Sequence, residues 1–140
     1  LSMTINYVLD SCALLAHVYD EAGADNVESL LEQASRSSAH IYMNKLNLYE
    51  AYYDVVRSHG VQQAEAVYSM VLKSPIQIID GISDAVLRQG AQFKTKYKMS
   101  LADSIMLGQA STIDASVITS DHHELDVVEK SEDISFTWIR

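Results

Sequence analysis

Tyr7-Val8-Leu9-Asp10-Ser11-Cys12-Ala13-Leu14-Leu15-Ala16 is the stretch on which the fold turns. With Ile5 it begins as a short apolar, β-branched run, Ile5 to Leu9, that reads as a buried strand. Asp10 ends the run, and roughly Cys12 to Tyr19 reads as a helix that Ser11 can cap. A buried strand passing straight into a helix opens an α/β sheet, whose ligand crevice lies at the carboxyl ends of the strands. An acid at that point carries a desolvation cost unless it is paired or faces a cation.

Working outward, Gly23 and Ala24 break the first helix, and Val27, Leu30, Leu31 and Ala34 recur at the spacing of an amphipathic helix. Ile41-Tyr42-Met43 reads as a second strand. Lys45 to His59 comes next as a helix with Tyr49, Tyr52, Tyr53 and Val56 as its apolar stripe, expected in a core or a dimer interface. Asn47, Glu50, Asp54 and Arg57 fall on its neighbouring polar face. Beyond Gly60, a helix carries Ala64, Val67, Tyr68 and Val71. Pro75 stops it ahead of a strand, Ile76 to Ile79. A helix from Ile82 to about Phe93, another from Ser100 through Ala110, a strand from Ala115 to Thr119, a short turn or helix after Asp121 and a last strand from Ile134 to Trp138 complete the chain. The order is β-α-α-β-α-α-β-α-α-β-α-β. Strands alternating with helices predict a three-layer α/β/α sandwich on a mostly parallel sheet.

The 140 residues allow one domain, placed at residues 3–140; Leu1-Ser2 is read as a remnant outside it. No apolar run approaches the roughly 20 residues that span a bilayer, so no membrane partner is expected. The start lacks a basic stretch before a long apolar one, so a cleaved leader is not expected. The single Cys12 excludes an internal disulfide and suits a reducing cytoplasm, with burial as a small hydrophobe its simplest role. A net charge of −9 argues against broad, non-specific binding of nucleic acid. Three of the ten basic residues, Lys94, Lys96 and Lys98, nonetheless fall in one short stretch. They read as a solvated helix end that could also guide RNA phosphates.

Four acids, Asp10, Glu50, Asp103 and Asp121, all fall where this fold would bring them to one sheet edge. Each has a plain reading alone. Ser100-Leu101-Ala102-Asp103 has the form of a capping box, Asp121 can cap the turn after its strand, and Glu50 can be a solvated helix residue. Together they repel one another unless a cation lies between them. Hard divalent ions take oxygen ligands and leave positions for phosphate and water, so the set points to phosphodiester chemistry. Asp54, Asp80 and Asp126 are read as surface, turn or cap residues. The adjacent His122 and His123 face different ways and make a poor chelating pair.

At these residues the chain resembles the PIN-domain ribonucleases, and within them the VapC-like toxins of toxin–antitoxin pairs. The opening stretch resembles the family's first strand and catalytic Asp. Asn47-Leu48-Tyr49-Glu50 resembles the motif ending in its second acid, Ser100-Leu101-Ala102-Asp103-Ser104-Ile105-Met106-Leu107 the third, and Ile118-Thr119-Ser120-Asp121 the fourth. Ser120 stands where these toxins often carry Arg, and Leu125 where an aromatic is frequent. The resemblance implies a five-stranded parallel sheet and an endoribonuclease dependent on Mg²⁺ or Mn²⁺. It also implies a homodimer held inactive by a small antitoxin protein.

On this reading Asp10, Asp103 and Asp121 bind one or two ions, and Glu50 binds or orients a metal water for in-line attack on RNA. Ser11, Asn47 and Thr119 support them from behind, the hydroxyls holding carboxylate or phosphate oxygens. The alternative is a non-catalytic module on the same fold that binds a protein partner. A phosphoacceptor domain would use Asp80 and a Lys after the last strand, and no Lys follows Trp138. A haloacid-type phosphatase would need an acid at the position of Cys12.

Overall fold

A computed structural model describes residues 4–140; Met3, the expected start of the domain, lies outside the described residues. The elements run β1 (Ile5–Leu9), α1 (Ser11–Val18), α2 (Ala24–Ser35), β2 (Ala39–Asn44), α3 (Lys45–His59), α4 (Val61–Lys73), β3 (Gln77–Ile79), α5 (Asp84–Lys96), α6 (Leu101–Thr112), β4 (Ser116–Thr119), α7 (His122–Ser131) and β5 (Phe136–Trp138). The five strands form one sheet in the order β3-β2-β1-β4-β5, every pair parallel. The expected element order is therefore the observed one.

The strand period of two separates the layers. Tyr7 and Leu9 of β1 pack on one face with Leu14, Val27, Leu30, Ile41, Met43 and Val71. Val8, between them, packs on the other face with Phe93, Met106, Leu107, Val117, Leu125 and Val128. Leu125, at the position where an aromatic is frequent, is fully buried there. Helices α5 and α6 come into near backbone contact. A Cβ on Gly108 would lie 2.8 Å from the Val86 carbonyl oxygen and 2.9 Å from the Gly90 nitrogen. Only a hydrogen side chain allows that approach.

Several local expectations change. Asp10, not Ser11, caps α1: its carboxylate accepts from the Ala13 N–H at 2.7 Å, and Ser11 is already helical. The segment after Asp121 is a full ten-residue helix. The largest correction is the face of α3. Its buried residues are Asn47, Leu48, Ala51 and Val55, whereas Tyr49 and Tyr53 are 63% and 53% exposed. Leu48, Ala51 and Val55 repeat at the same helical spacing as the tyrosines, and their smaller side chains let α3 lie close against its neighbours. Tyr52 and Val56 pack partly against Ala64 and Val67 of α4. Asn47, expected on a polar face, is wholly buried and donates from Nδ2 to the Ala102 carbonyl at 3.1 Å.

Candidate metal centre

The sheet order reverses direction between β1 and β4: the chain builds outward from β1 through β2 to β3, then returns to place β4 on the other side of β1. The carboxyl ends of two such strands diverge and leave a crevice between their succeeding helices. Asp10 directly follows β1, and its N–H donates to the Ile118 carbonyl of β4 at 3.2 Å. Asp121 lies two residues beyond β4 and caps α7, accepting from the Glu124 N–H at 3.3 Å. Glu50 enters from α3 and Asp103 from the first turn of α6. All four predicted acids line one cleft of about 430 Å³.

The acids differ in how they are held. Asp10 is 2% exposed, and both of its oxygens are engaged. Oδ1 accepts from Ala13, and Oδ2 accepts a short hydrogen bond from the Thr119 hydroxyl. The same Thr119 oxygen accepts from the Asp121 N–H at 3.0 Å, so one buried hydroxyl positions two of the acids. Ser11 donates a short hydrogen bond to Glu50 Oε1. Thus Ser11 and Thr119 both touch predicted acids. Asn47 does so indirectly, joining α3, which carries Glu50, to the residue before Asp103.

Burial pushes the Asp10 carboxyl up to about 7, against the two hydrogen bonds that favour its charged form; the charges of Asp121 and Glu50 add to the rise. Burial raises Asp103 as well, followed by a hydrogen bond to Glu124 and the charges of Asp10, Glu124 and Glu50. Glu124 shifts the other way, through the Asp103 hydrogen bond first and the Ser100 N–H besides. Asp103 is the more deeply buried of the two. Carboxylates pushed up by burial and by one another ionise together only beside a positive charge. The donor set is all oxygen, which fits a hard divalent cation.

Glu124 was not among the predicted acids. Oxygens of Asp103, Asp121 and Glu124 lie within 4.8 Å of one another. The sequence signal was the Asp121-x-x-Glu124 spacing on one helical turn, next to the two histidines. His122 itself is structural: it stacks on Trp138 with centroids 3.8 Å apart and meets the Arg140 carbonyl at 2.8 Å. Asp54 reaches the cleft wall and pairs with Arg57 at 2.7 Å. Cys12 also lines the cleft and meets Ser120 Oγ at 3.0 Å. Burial raises its thiol, the reverse of an activated nucleophile.

The three lysines have different surroundings. Lys94 donates to the Met99 carbonyl at 2.7 Å and its charge reaches Glu124. Lys96 pairs with Glu132 at 3.3 Å, and Lys98 is exposed on the loop before α6. No helix among the described residues is long and apolar enough to cross a membrane.

Among solved structures, the chain is similar to VapBC from Salmonella typhimurium bound to DNA, with a TM-score of 0.74 and 15% identity over 98% of this chain and 100% of that one. It is similar to VapBC2 from Rickettsia felis bound to a promoter DNA fragment, with a TM-score of 0.73 and 16% identity over 96% and 98% of the two chains. VapC20 of Mycobacterium tuberculosis, a sarcin-ricin loop cleaving toxin, matches with a TM-score of 0.56 and 13% identity over 79% and 86%. At such identities the likeness is one of fold. No curated protein matches the chain. The pattern of the PIN domain covers residues 7–130, from the strand that delivers Asp10 to the helix capped by Asp121, and the chain belongs to the PIN domain family.

Proposed function

We propose that this protein is a metal-dependent endoribonuclease that cuts single-stranded RNA. The observation that carries the reading is the convergence of Asp10, Glu50, Asp103 and Asp121 on one cleft at the sheet's switch point. Asp10, Asp103 and Asp121 would hold Mg²⁺ or Mn²⁺, as one or two ions. When bound, such a cation supplies polarisation of the phosphate and a lowered pKa for water.

The chain's own residues supply positioning. Ala13 and Thr119 fix both oxygens of Asp10 in a single orientation. Ser11 fixes one oxygen of Glu50, leaving the other to orient the attacking water. The cleft, walled by α1, α3, α6 and α7, admits an extended strand more readily than a duplex. Exposed Lys98, in the loop before α6, and Lys94, which bonds to the Met99 carbonyl, are the basic groups assigned to phosphate contacts, while Lys96 is held by Glu132.

We further propose that the protein is the toxin of a toxin–antitoxin pair, a cytoplasmic homodimer restrained by a small antitoxin protein. The fold likeness to VapBC complexes supports this. The test is incubation of a mixed RNA pool with purified protein, in Mn²⁺ or Mg²⁺ against EDTA, with Asp10→Asn alongside. Metal-dependent cutting lost in the variant is the expected result. A folded, inhibitor-free protein that cuts nothing would instead be an interaction module for a protein partner.

A further inference from the structure

We propose that the groove lined by Tyr49, Tyr53 and Leu101 is a nucleobase subsite, holding the base of single-stranded RNA next to the phosphate in the acid cleft. This rests on the proposed reading of that cleft as a ribonuclease site.

Most tyrosines of the chain have an evident structural role. Tyr7, Tyr42 and Tyr68 pack in or against the core. Tyr19, Tyr52 and Tyr97 direct their hydroxyls to His59, Glu65 and Glu132. Tyr49 and Tyr53 have neither role. Both rings are largely exposed, and their hydroxyls meet no partner among the described residues. Exposed apolar residues scattered singly are ordinary, but these two are neighbours. They stand one helical turn apart on one face of α3. With Leu101 at the start of α6, itself 63% exposed, they line a groove of about 350 Å³.

The place and the chemistry of the groove select its occupant. Glu50 and Ser100 line it and also line the acid cleft, so the two spaces share a wall. Among the described residues Glu50 is its one charged group. A nucleotide has the same two parts, an anionic phosphate and a flat, neutral base with polar edges. Aromatic rings offer a stacking face to any base, and the free tyrosine hydroxyls can meet its edges. In a chain of net charge −9, a neutral apolar wall lets RNA continue past the acids without repulsion. A second copy of the chain could also cover the groove, but the area is small for it. Full cover of Tyr49, Tyr53 and Leu101 removes less than about 500 Å². A stable interface buries about 800 Å² per partner.

Competition for cleavage tests this. Wild-type protein cuts the mixed RNA pool in Mn²⁺ in the presence of a short competitor. The competitor is either a randomised-sequence oligoribonucleotide or an abasic ribose–phosphate oligomer of the same length. We expect the base-bearing competitor to inhibit at concentrations about tenfold lower or less, from the stacking of one base. The Tyr49→Ala, Tyr53→Ala double variant should lose that difference at an unchanged melting temperature. The Tyr49→Phe, Tyr53→Phe double variant should keep most of it, because the rings remain. Equal inhibition by the two competitors in wild type would overturn the inference and leave the nuclease reading standing, whereas wild-type protein that cuts no RNA would overturn both. A double alanine variant that dissociates a dimer yet keeps the difference would give the groove to a second copy and overturn the inference. A further measurement needs no variant. Ultraviolet crosslinking of wild-type protein to RNA carrying iodouridine should place adducts on Tyr49 or Tyr53 by mass spectrometry; adducts confined to other residues overturn the inference.

Discussion

Thr119, at the end of β4, donates its buried hydroxyl to Oδ2 of Asp10, at the end of β1. The bond crosses the sheet at the point where strand order reverses, and the same oxygen receives the Asp121 N–H. Replacing Thr119 by Val keeps the shape and removes both contacts. Leaving those groups without a partner should cost about 1–3 kcal/mol in urea unfolding. Partners behind a metal ligand are typically worth about 10–100-fold in metal affinity or activity. T119V should therefore weaken Mn²⁺ binding and RNA cleavage by that order; wild-type values for both would show the bond to be incidental.

Asp10→Asn should abolish RNA cleavage and leave the fold intact. Its folded pKa of about 7 lies above the ordinary value, so the folded chain bears a cost for ionising this group. Asn supplies a neutral group of the same shape. At pH 8 in EDTA, the D10N protein should melt no lower than wild type.

The same shift sets a pH dependence. Between the ordinary carboxylate pKa and about 7, the folded state binds a proton at Asp10 that the unfolded chain has lost. Stability is thus full below the ordinary value, falls as pH rises towards 7 and levels off above it. Asp103 shifts in the same direction and Glu124 partly opposes it. In EDTA the protein should be more stable at pH 5 than at pH 8, by on the order of a few kcal/mol. Saturating Mn²⁺ should stabilise the pH 8 form most and flatten the profile. Thermal melts across pH with and without the ion would check it, and a rise in stability towards pH 8 in EDTA would contradict it.

Asn47 is buried with one hydrogen bond, to the Ala102 carbonyl, while its Oδ1 has no partner among the described residues. It joins the helix of Glu50 to that of Asp103. Asn47→Ala should lose about 1–3 kcal/mol of stability, since the Ala102 carbonyl loses its side-chain donor and a small void opens. Cleavage should fall with it as the two acids lose their register. A urea titration beside a cleavage assay separates the two effects.

Gly108→Ala should be severely destabilising. The added methyl would meet backbone atoms of α5 at 2.8–2.9 Å, which no side-chain rotation can relieve. Overpacking of this kind typically costs about 1–3 kcal/mol or more. The helices would have to move apart, carrying Asp103 with them. A melting temperature equal to wild type would mean the two helices are not held this closely in solution.

Much of this was legible in the chain because it is local. Ile5–Leu9 and Lys45–His59 end where their composition and punctuation change, and the alternation of strand and helix implies the parallel sheet. Asp10, Asp103 and Asp121 sit beside a strand end or helix start and Glu50 lines the helix that follows β2, so local reading carried them to one edge. What was not legible depends on distant partners. Two spacings on α3 satisfy the same period, and only the packing of Leu48, Ala51 and Val55 decides that the tyrosines face outward. Asn47 looks solvated until the Ala102 carbonyl, 55 residues on, is placed against it. Glu124 looks like a cap residue until Asp103 is brought across from another helix. Lys96 belongs to Glu132 for the same reason.

Parallel β1 and β4 meet only after more than a hundred residues have intervened, and that separation has a meaning in time. A ribosome delivers the N-terminal part first. Asp10 and Glu50 would emerge before Thr119, Asp121 and Glu124, which lie on and beside the strand and helix that close the cleft. For a protein proposed to cut RNA, the unfinished chain would be harmless to the machinery and message producing it. The cleft would be complete only once β4 and α7 have followed the earlier elements out.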